Sequence, residues 1–507
     1  MGLGQEPTTD VINVLGRGMA QLKGLYLNFE IRNVAMRALL LLIAAVALAH
    51  AATVLTRADQ ASIDAALPIL QRHLPDVRVI PADPTQWRGL IDRGGVDFLW
   101  AGAPLLYESL LREGYLAPMP DVPELREMPE RAGGVPLKRV GPDGRVYYVV
   151  YALLGYVIGY SGEALAKAGV EPACSWADLA SPNLTLYFIK TGSRPVALAR
   201  PTKSTSTAAM MQLVTEIYGW DEGWRLLTAM AAHARFVDSS GAVRDAVRRG
   251  EALFGPMVDY YVFLAGLDYC IPRDGTDVLF DPIAVPRGAN ATAAAVLTRV
   301  FLSEVEKRLV DRYILPGNLA LLDSPDVNRT KAALLKRHLE KLMASRVLAV
   351  PPEKSASYYH SFIYYYEATL VDLQDQLASV WGKTVEAYHE GKISRQQFER
   401  LWRLIAAPLN YTDPATGEAT SFTYQVAAAI NDRVARDPAY RDKLIQAWRE
   451  AARERYRRAE AELESLLNPP RRPTPAPYAV AAAVALALAA TIFYISRKRK
   501  IKNTVKL

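Results

Sequence analysis

The side chains of this chain whose types and spacing could do chemistry point to binding rather than to bond-making. Lys203-Ser204-Thr205-Ser206-Thr207 falls at a predicted helix start, where free backbone N–H groups and hydroxyls favour an anion. The same residue types serve as ordinary N-caps, so an anion site and a plain cap beside a solvated lysine both stand at this point. Arg57, in the turn Thr56-Arg57-Ala58-Asp59, is placed to oppose such an anion from elsewhere in the chain. An enzyme would need a nucleophile-base or metal set. The sequence holds no Gly-x-Ser-x-Gly elbow, no P-loop and no Gly-x-Gly-x-x-Gly opening, and His73, His233, His338, His360 and His389 lack the spacing of metal ligands. We therefore expect neither catalysis nor a cofactor. Tyr358-Tyr359-His360, Phe362 and Tyr364-Tyr365-Tyr366 could form a sugar platform or pack a helical segment against the rest, and the second is expected.

The elements that must position these residues follow from periodicity. From Ala52 to about Val350 short β-branched runs alternate with helical stretches, the pattern of an α/β fold with a largely parallel sheet. Ala52–Leu55, Val77–Ile80 and Val96–Trp100 read as strands, and Gln60–His73 as an amphipathic helix kinked at Pro68. In open α/β sheets ligands sit where strand C-termini meet helix N-termini, which makes Thr56, Arg57 and Ala58, and Trp100, Gly102 and Ala103, candidate ligand-binding residues. After Pro351-Pro352 strand signals nearly vanish. Asp437-Pro438 then caps a last helix of roughly 29 residues, with Asp at the N-cap and Pro at the first helical position.

Charge and hydropathy give the topology. Tyr478–Ile495 is apolar and uncharged, long enough to cross most of a hydrocarbon core of about 30 Å, and is followed by a tail from Arg497 rich in Lys and Arg without acids. That tail carries nearly all of the net charge of +7, so the folded body is close to neutral, which argues against a nucleic-acid partner. Short basic flanks stay inside, so the body is expected outside the cell. Ala38–Ala49, preceded by Met36-Arg37, reads as a signal peptide or as an uncleaved signal anchor. The 2 cysteines, Cys174 and Cys270, exclude a disulfide scaffold; a bridge and two buried thiols both remain open. Asn183, Asn290, Asn328 and Asn410 are candidate glycosylation acceptors.

The order of segments resembles a known family. Val96-Asp97-Phe98-Leu99-Trp100-Ala101-Gly102-Ala103-Pro104 with Glu113-Gly114-Tyr115-Leu116-Ala117-Pro118, Ala168-Gly169-Val170-Glu171-Pro172 with Ser175-Trp176-Ala177-Asp178-Leu179, Ala199–Thr207, Tyr218–Trp224, Arg249-Gly250-Glu251 and Ile283–Ala289 are similar, in sequence and spacing, to type 2 extracellular solute-binding proteins of ABC importers, in the iron, polyamine and thiamine branch. The resemblance covers about residues 52 to 330. It implies an α/β, two-lobed periplasmic-binding-protein-like fold that closes on a solute and delivers it to a permease, followed here by an all-α extension and a C-terminal transmembrane helix. The implied layout is an N-terminal region 1–51, a binding domain 52–350 (first lobe 52–155 and 275–350, second lobe 156–274), a helical extension 351–468, a Pro-rich linker 469–477, a membrane helix 478–496 and a basic tail 497–507. In the family's ferric branch a tyrosine pair follows the Gly-Glu helix, and Asp259-Tyr260-Tyr261 falls there. Tyr260 and Tyr261 match that pair as iron ligands, whereas the first-lobe His and Glu have no match; tyrosines lining an organic-solute cleft are the competing expectation. A sensor or a structural surface protein built on such a domain is the alternative function. The anchor, the lack of a lipid-anchor cysteine and the sequons suggest an archaeal cell surface.

Overall fold

The computed structural model describes residues 51–132, 135–406, 408–469 and 477–504. The signal-like Ala38–Ala49 and most of the Pro-rich linker lie outside the described residues. The principal strands are, in chain order, β1 (Thr53–Thr56), β2 (Arg78–Pro81), β3 (Phe98–Trp100), β4 (Val146–Tyr160), β5 (Val196–Ala199), β6 (Ala234–Val237), β7 (Phe254–Val258), β8 (Asp268–Cys270) and β9 (Val278–Pro286). The chain divides into two compact units, one comprising the residues up to Gly155 with Val278–Ala344, the other Tyr156–Asp277 with the residues from Ser345 onward.

In the first unit the strand order is β2-β1-β3-β9-β4. β1 is parallel to β2 and to β3, whereas β9 is antiparallel to both β3 and the Tyr148–Gly155 part of β4. The sheet is thus mixed, not largely parallel as the alternation of elements suggested. The reason is β4: its 15 residues are apolar almost throughout and nearly all buried, and a continuous apolar run reports burial on both faces, not strand direction. Helix α1 (Gln60–His73) starts where the Asp59 side chain accepts from the Ser62 N–H, and it carries Pro68 inside a single element. Helix α2 (Pro104–Arg112) starts with proline at its first position, where no backbone donor is needed.

In the second unit the order is β6-β5-β7-β4. β5 is parallel to β6 and β7, and both β7 and β8 lie antiparallel to the last residues of β4. Its helices are α3 (Pro182–Thr191), α4 (Thr205–Tyr218), α5 (Trp220–Ala232), α6 (Ser240–Arg248) and α7 (Asp259–Ala265), followed after residue 345 by α8 (Tyr359–Tyr366), α9 (Gln374–His389), α10 (Arg395–Ala406), α11 (Tyr424–Arg436) and α12 (Pro438–Leu467). Cys174 and Cys270 are joined by a disulfide with a Cα–Cα distance of 5.2 Å.

The helical extension is not a separate body. The boundary suggested at Pro351 is overridden by aromatic packing, because α8 to α12 bury the outer face of α5. Trp220 donates from its ring N–H to the Phe422 carbonyl at 2.9 Å. The Trp224 ring lies 4.9 Å from those of both Phe362 and Tyr365, and Tyr365 stacks on Phe422 at 3.7 Å. Each such ring pair contributes about 0.5 to 1.5 kcal/mol beyond the area it buries. Helix α12 presents Tyr440, Leu444, Trp448, Ala452, Tyr456, Ala459 and Leu463 to the core at three- and four-residue spacing, and Asp437 caps it by accepting from the Tyr440 N–H.

One polar contact joins two helices of the extension, and another joins the extension to α3. Asn431, fully buried, accepts from the His360 N–H at 2.8 Å. Trp381 donates to the Thr185 hydroxyl oxygen at 2.9 Å. That hydroxyl also lies 2.9 Å from Nδ1 of His233, and His233 Nε2–H donates to the Leu179 carbonyl. Burial pushes the His233 pKa down to about 4, which keeps the imidazole neutral near pH 7 and makes Nδ1 the acceptor of the Thr185 proton.

Helix α13 (Pro477–Thr504) is exposed over Ala481–Lys498, a window of mean hydropathy 1.4 that is long and apolar enough to cross a membrane. Asn183, Asn328 and Asn410 are exposed and Asn290 is half-buried. The side chains of Asn290 and Asn328 cap the helices that follow them, accepting from the Ala293 and Lys331 N–H groups.

Two outcomes follow. The double variant Cys174→Ser, Cys270→Ser, which frees a loop of sequence separation 96, loses about 4 kcal/mol of stability in denaturant titration. For His233 the unfolded chain binds more protons than the folded one between the ordinary value near 6.5 and about 4, so its contribution is complete above the upper limit and is lost as pH falls through that window. His233→Gln keeps one donor and one acceptor without a charge change, and its stability relative to the native chain rises on acidification over the same window.

Candidate functional site

Each unit presents loops at the C-terminal ends of its parallel strands. In the first unit the turn after β1 is closed by Thr56, fully buried, whose hydroxyl oxygen accepts from the Ala58 N–H at 2.9 Å. The Arg57 N–H donates to the Trp100 carbonyl at 3.1 Å, which ties this turn to the loop after β3. The Arg57 guanidinium donates to the Ala82 carbonyl at 2.9 Å and lies 3.7 Å from Asp83. The Trp100 ring is core, buried 5.1 Å from the Phe301 ring; only its backbone faces the loop.

The loop itself is held in an unfavourable conformation. Ala101 has φ 63° and Gly102 φ 116°, and a non-glycine residue in the left-handed region costs about 1 kcal/mol or more. Three hydrogen bonds hold it there. The Ala101 N–H donates to the Pro282 carbonyl at 3.1 Å, the Tyr107 hydroxyl donates to the Ala101 carbonyl at 3.1 Å, and the Gly102 N–H donates to Asp281 Oδ1 at 2.7 Å. The other Asp281 oxygen accepts from the Tyr151 hydroxyl at 2.9 Å. Burial raises the Asp281 pKa to about 7 against the opposing effect of these two donors. A Cβ on Gly102 would also meet Arg57 Cγ at 3.4 Å. Ala103, buried, is the N-cap of α2 and offers no side-chain cap to its first turn.

In the second unit Lys203 ends the loop after β5, and Ser204 is the N-cap of α4, its hydroxyl oxygen accepting from the Thr207 N–H at 3.2 Å. Thr205 is buried and Ser206 half-exposed. The Ser204 hydroxyl also bonds the Ser240 hydroxyl at 2.8 Å, which brings the N-terminus of α4 to that of α6, whose own cap is Ser239. Two positive helix ends thus share one corner. Asp259 opens α7 and accepts from the Tyr260 N–H at 2.8 Å. The Tyr260 and Tyr261 rings lie 4.1 Å apart, and the Arg244 guanidinium sits 5.3 Å from the Tyr261 ring centre. Among the described residues no group of three or more His, Cys, Asp or Glu is placed to hold a metal ion.

Sequence reasoning missed Asp281, Tyr151 and Ser240. The first two lie inside apolar strands and meet Gly102 only through the fold; Ser240 had a detectable signal, since Ser239-Ser240 opens an amphipathic helix.

Parallel strands ending in such loops, in each of two α/β units, are the pattern of a periplasmic-binding-protein fold of the type 2 class. Residues 93–334 match the family described as bacterial extracellular solute-binding protein. A curated relative, the phosphoglycerate transport regulatory protein PgtC of Salmonella typhimurium, is 24% identical over 170 residues, 33% of this chain and 38% of that protein; the match thus spans well under half of the relative's length. Among solved structures, the periplasmic binding protein AfuA of Actinobacillus pleuropneumoniae, with fructose-6-phosphate bound, is similar at a TM-score of 0.53 and 15% identity, covering 63% of this chain and 98% of AfuA. The substrate-binding protein of an ABC transporter from Agrobacterium tumefaciens gives a TM-score of 0.49 at 16% identity, covering 62% of this chain and 94% of that one. The fold of this chain is similar to that of AfuA.

Asp281→Asn isolates the buried carboxyl. With its folded pKa raised to about 7 above an ordinary value near 4, the folded state holds the proton more tightly than the unfolded one. That contribution is complete below the ordinary value and is lost as pH rises through about 7. Asp281→Asn therefore gains stability relative to the native chain as pH is raised across this window in parallel thermal melts.

Proposed function

We propose that this chain is an extracellular receptor that captures a small phosphorylated or carboxylate anion and delivers it to an ABC importer permease. The observation that carries the reading is the Ser204–Ser240 hydrogen bond of 2.8 Å, which gathers the N-termini of α4 and α6 beside Lys203. There Lys203, Ser204, Thr205, Ser206 and Ser240 supply the anion end of the site. Asp259, Tyr260 and Tyr261, in the same unit, receive the organic remainder of the solute, while Thr56, Arg57 and Ala58 with the backbone of Trp100, Gly102 and Ala103 are the candidate ligand-binding residues of the first unit. The phosphoglycerate in the name of PgtC and the fructose-6-phosphate bound to AfuA are phosphorylated anions of this kind. Helix α13 anchors the receptor with its basic tail inside and its body outside, on an archaeal surface in keeping with the sequons. Ferric iron is the weaker cargo, since the paired rings of Tyr260 and Tyr261 pack on one another with the Arg244 guanidinium beside the Tyr261 ring. A surface sensor is the second reading, favoured by the word regulatory in the name of the curated relative.

A thermal-shift series on the full chain in detergent tests the proposal with 3-phosphoglycerate, fructose 6-phosphate, inorganic phosphate and ferric citrate. A ligand at a hundredfold excess over its dissociation constant adds about 2.7 kcal/mol to the folded state. The expected result is a rise with the phosphorylated compounds that Lys203→Ala and Ser240→Ala each remove. A rise with ferric citrate alone, abolished by Tyr260→Phe with Tyr261→Phe, or no rise with any of the four, overturns it.

A further inference from the structure

The loop that precedes α4 is held from a direction that the family match does not include. Arg200, Pro201, Thr202 and Lys203 connect β5 to the Ser204 cap. The Arg200 carbonyl accepts from the Lys203 and Ser204 N–H groups at 2.9 and 3.0 Å, and its N–H donates to the Val237 carbonyl of β6 at 2.9 Å. These bonds fold the loop from the sheet side. On the other side stands one carboxylate, Glu367: Arg200 Nε donates to its Oε1 at 2.6 Å, and the Thr202 hydroxyl donates to its Oε2 at 3.0 Å. Both carboxylate oxygens are thus spent on this loop, 167 and 165 residues away in sequence.

Glu367 belongs to the extension. It opens a π-turn, Glu367–Val371, that continues α8, a local widening of the helix often found at functional positions. The side chain is mostly buried, with a relative exposure of 12%. Removing one partner of a buried charge-assisted pair leaves the other without its counter-charge, which is far more disruptive than the loss of an exposed pair. The matched family segment ends at residue 334, so this group comes from a part of the chain outside it.

We propose that Glu367 is a positioning residue for the anion loop, through which the helical extension sets the affinity of the binding unit. The proposal rests on the anion reading of Lys203 to Ser206 given above. It makes the extension part of the receptor's recognition apparatus: whatever displaces the Glu367 carboxylate alters the loop that presents Lys203 and the α4 N-terminus.

The test compares the native full chain with Glu367→Gln, Glu367→Ala, Thr202→Val and Asn431→Ala. Two quantities are read: amide hydrogen exchange of residues 201–207 without ligand, and the dissociation constants for inorganic phosphate and 3-phosphoglycerate. Glu367→Ala is expected to speed loop exchange and weaken binding about ten-fold or more. Glu367→Gln, which keeps the shape and one acceptor, restores part of both, and Thr202→Val, a near-isosteric change that folds even if Glu367→Ala does not, shows a smaller effect of the same sign. Asn431→Ala removes the acceptor of the His360 and Ser361 N–H groups at the start of α8 without touching the Glu367 contacts, and is expected to lower the melting temperature while leaving loop exchange at the native level in the folded state. Native-like loop exchange in all Glu367 and Thr202 variants overturns the proposal, as does equal acceleration by Asn431→Ala. If the native chain binds neither anion, the ligand reading fails, and the exchange measurements still decide whether Glu367 holds the loop.

Discussion

Burial of the Trp220–Trp224 face of α5 is the constraint on which the rest of the second unit depends. Two indoles one helical turn apart give α5 an outer surface too apolar to leave in water. The extension exists, in physical terms, to cover it. Once Phe362, Tyr365 and Phe422 lie on that face, the position of α8 is fixed, and with it the start of the π-turn that carries Glu367. The loop before α4 is then held by the same packing that closes the core.

The candidate loops of the two units are held differently. In the first unit a backbone in an unfavourable region is kept in place by a hydrogen-bond network that includes one buried carboxyl. In the second, helix ends are brought together by short hydroxyl side chains. The titrations of the buried groups run in opposite senses: acidification costs stability at His233 and adds it at Asp281. Over the pH range they share, their contributions offset one another, so a single melting curve of the native chain as a function of pH conceals both.

The parts of the fold legible in the sequence are those set by neighbours along the chain. The Asp437-Pro438 cap, the hydroxyl-rich start of α4 and the alternation of strand and helix are local signals, and the corresponding elements are present. Strand direction was not legible, because the apolar run of β4 records burial and nothing about its partners. Residues defined by distant contacts were invisible for the same reason: Asp281 looks like an interruption in an apolar strand, and Glu367 like one more acid in a helix, until the fold sets them against Gly102 and Arg200. Trp100 was legible as the end of a strand beside a loop, yet its ring proves to be core, since the pleat sends alternate side chains to opposite faces and sequence alone did not say which face is covered. The aromatic run after residue 351 was legible as packing, while its target, α5, was not.

The disulfide bears on the order of assembly. Cys174 and Cys270 enclose α3 to α7 and the strands between them, but nothing from the extension. As the chain emerges from its N-terminal side, this segment can be cross-linked before Tyr358 and the rings that follow have appeared. The extension then docks on a surface already locked, and until it arrives Trp220 and Trp224 face solvent. Between sulfur oxidation and helix docking the nascent molecule therefore has an apolar face open to self-association.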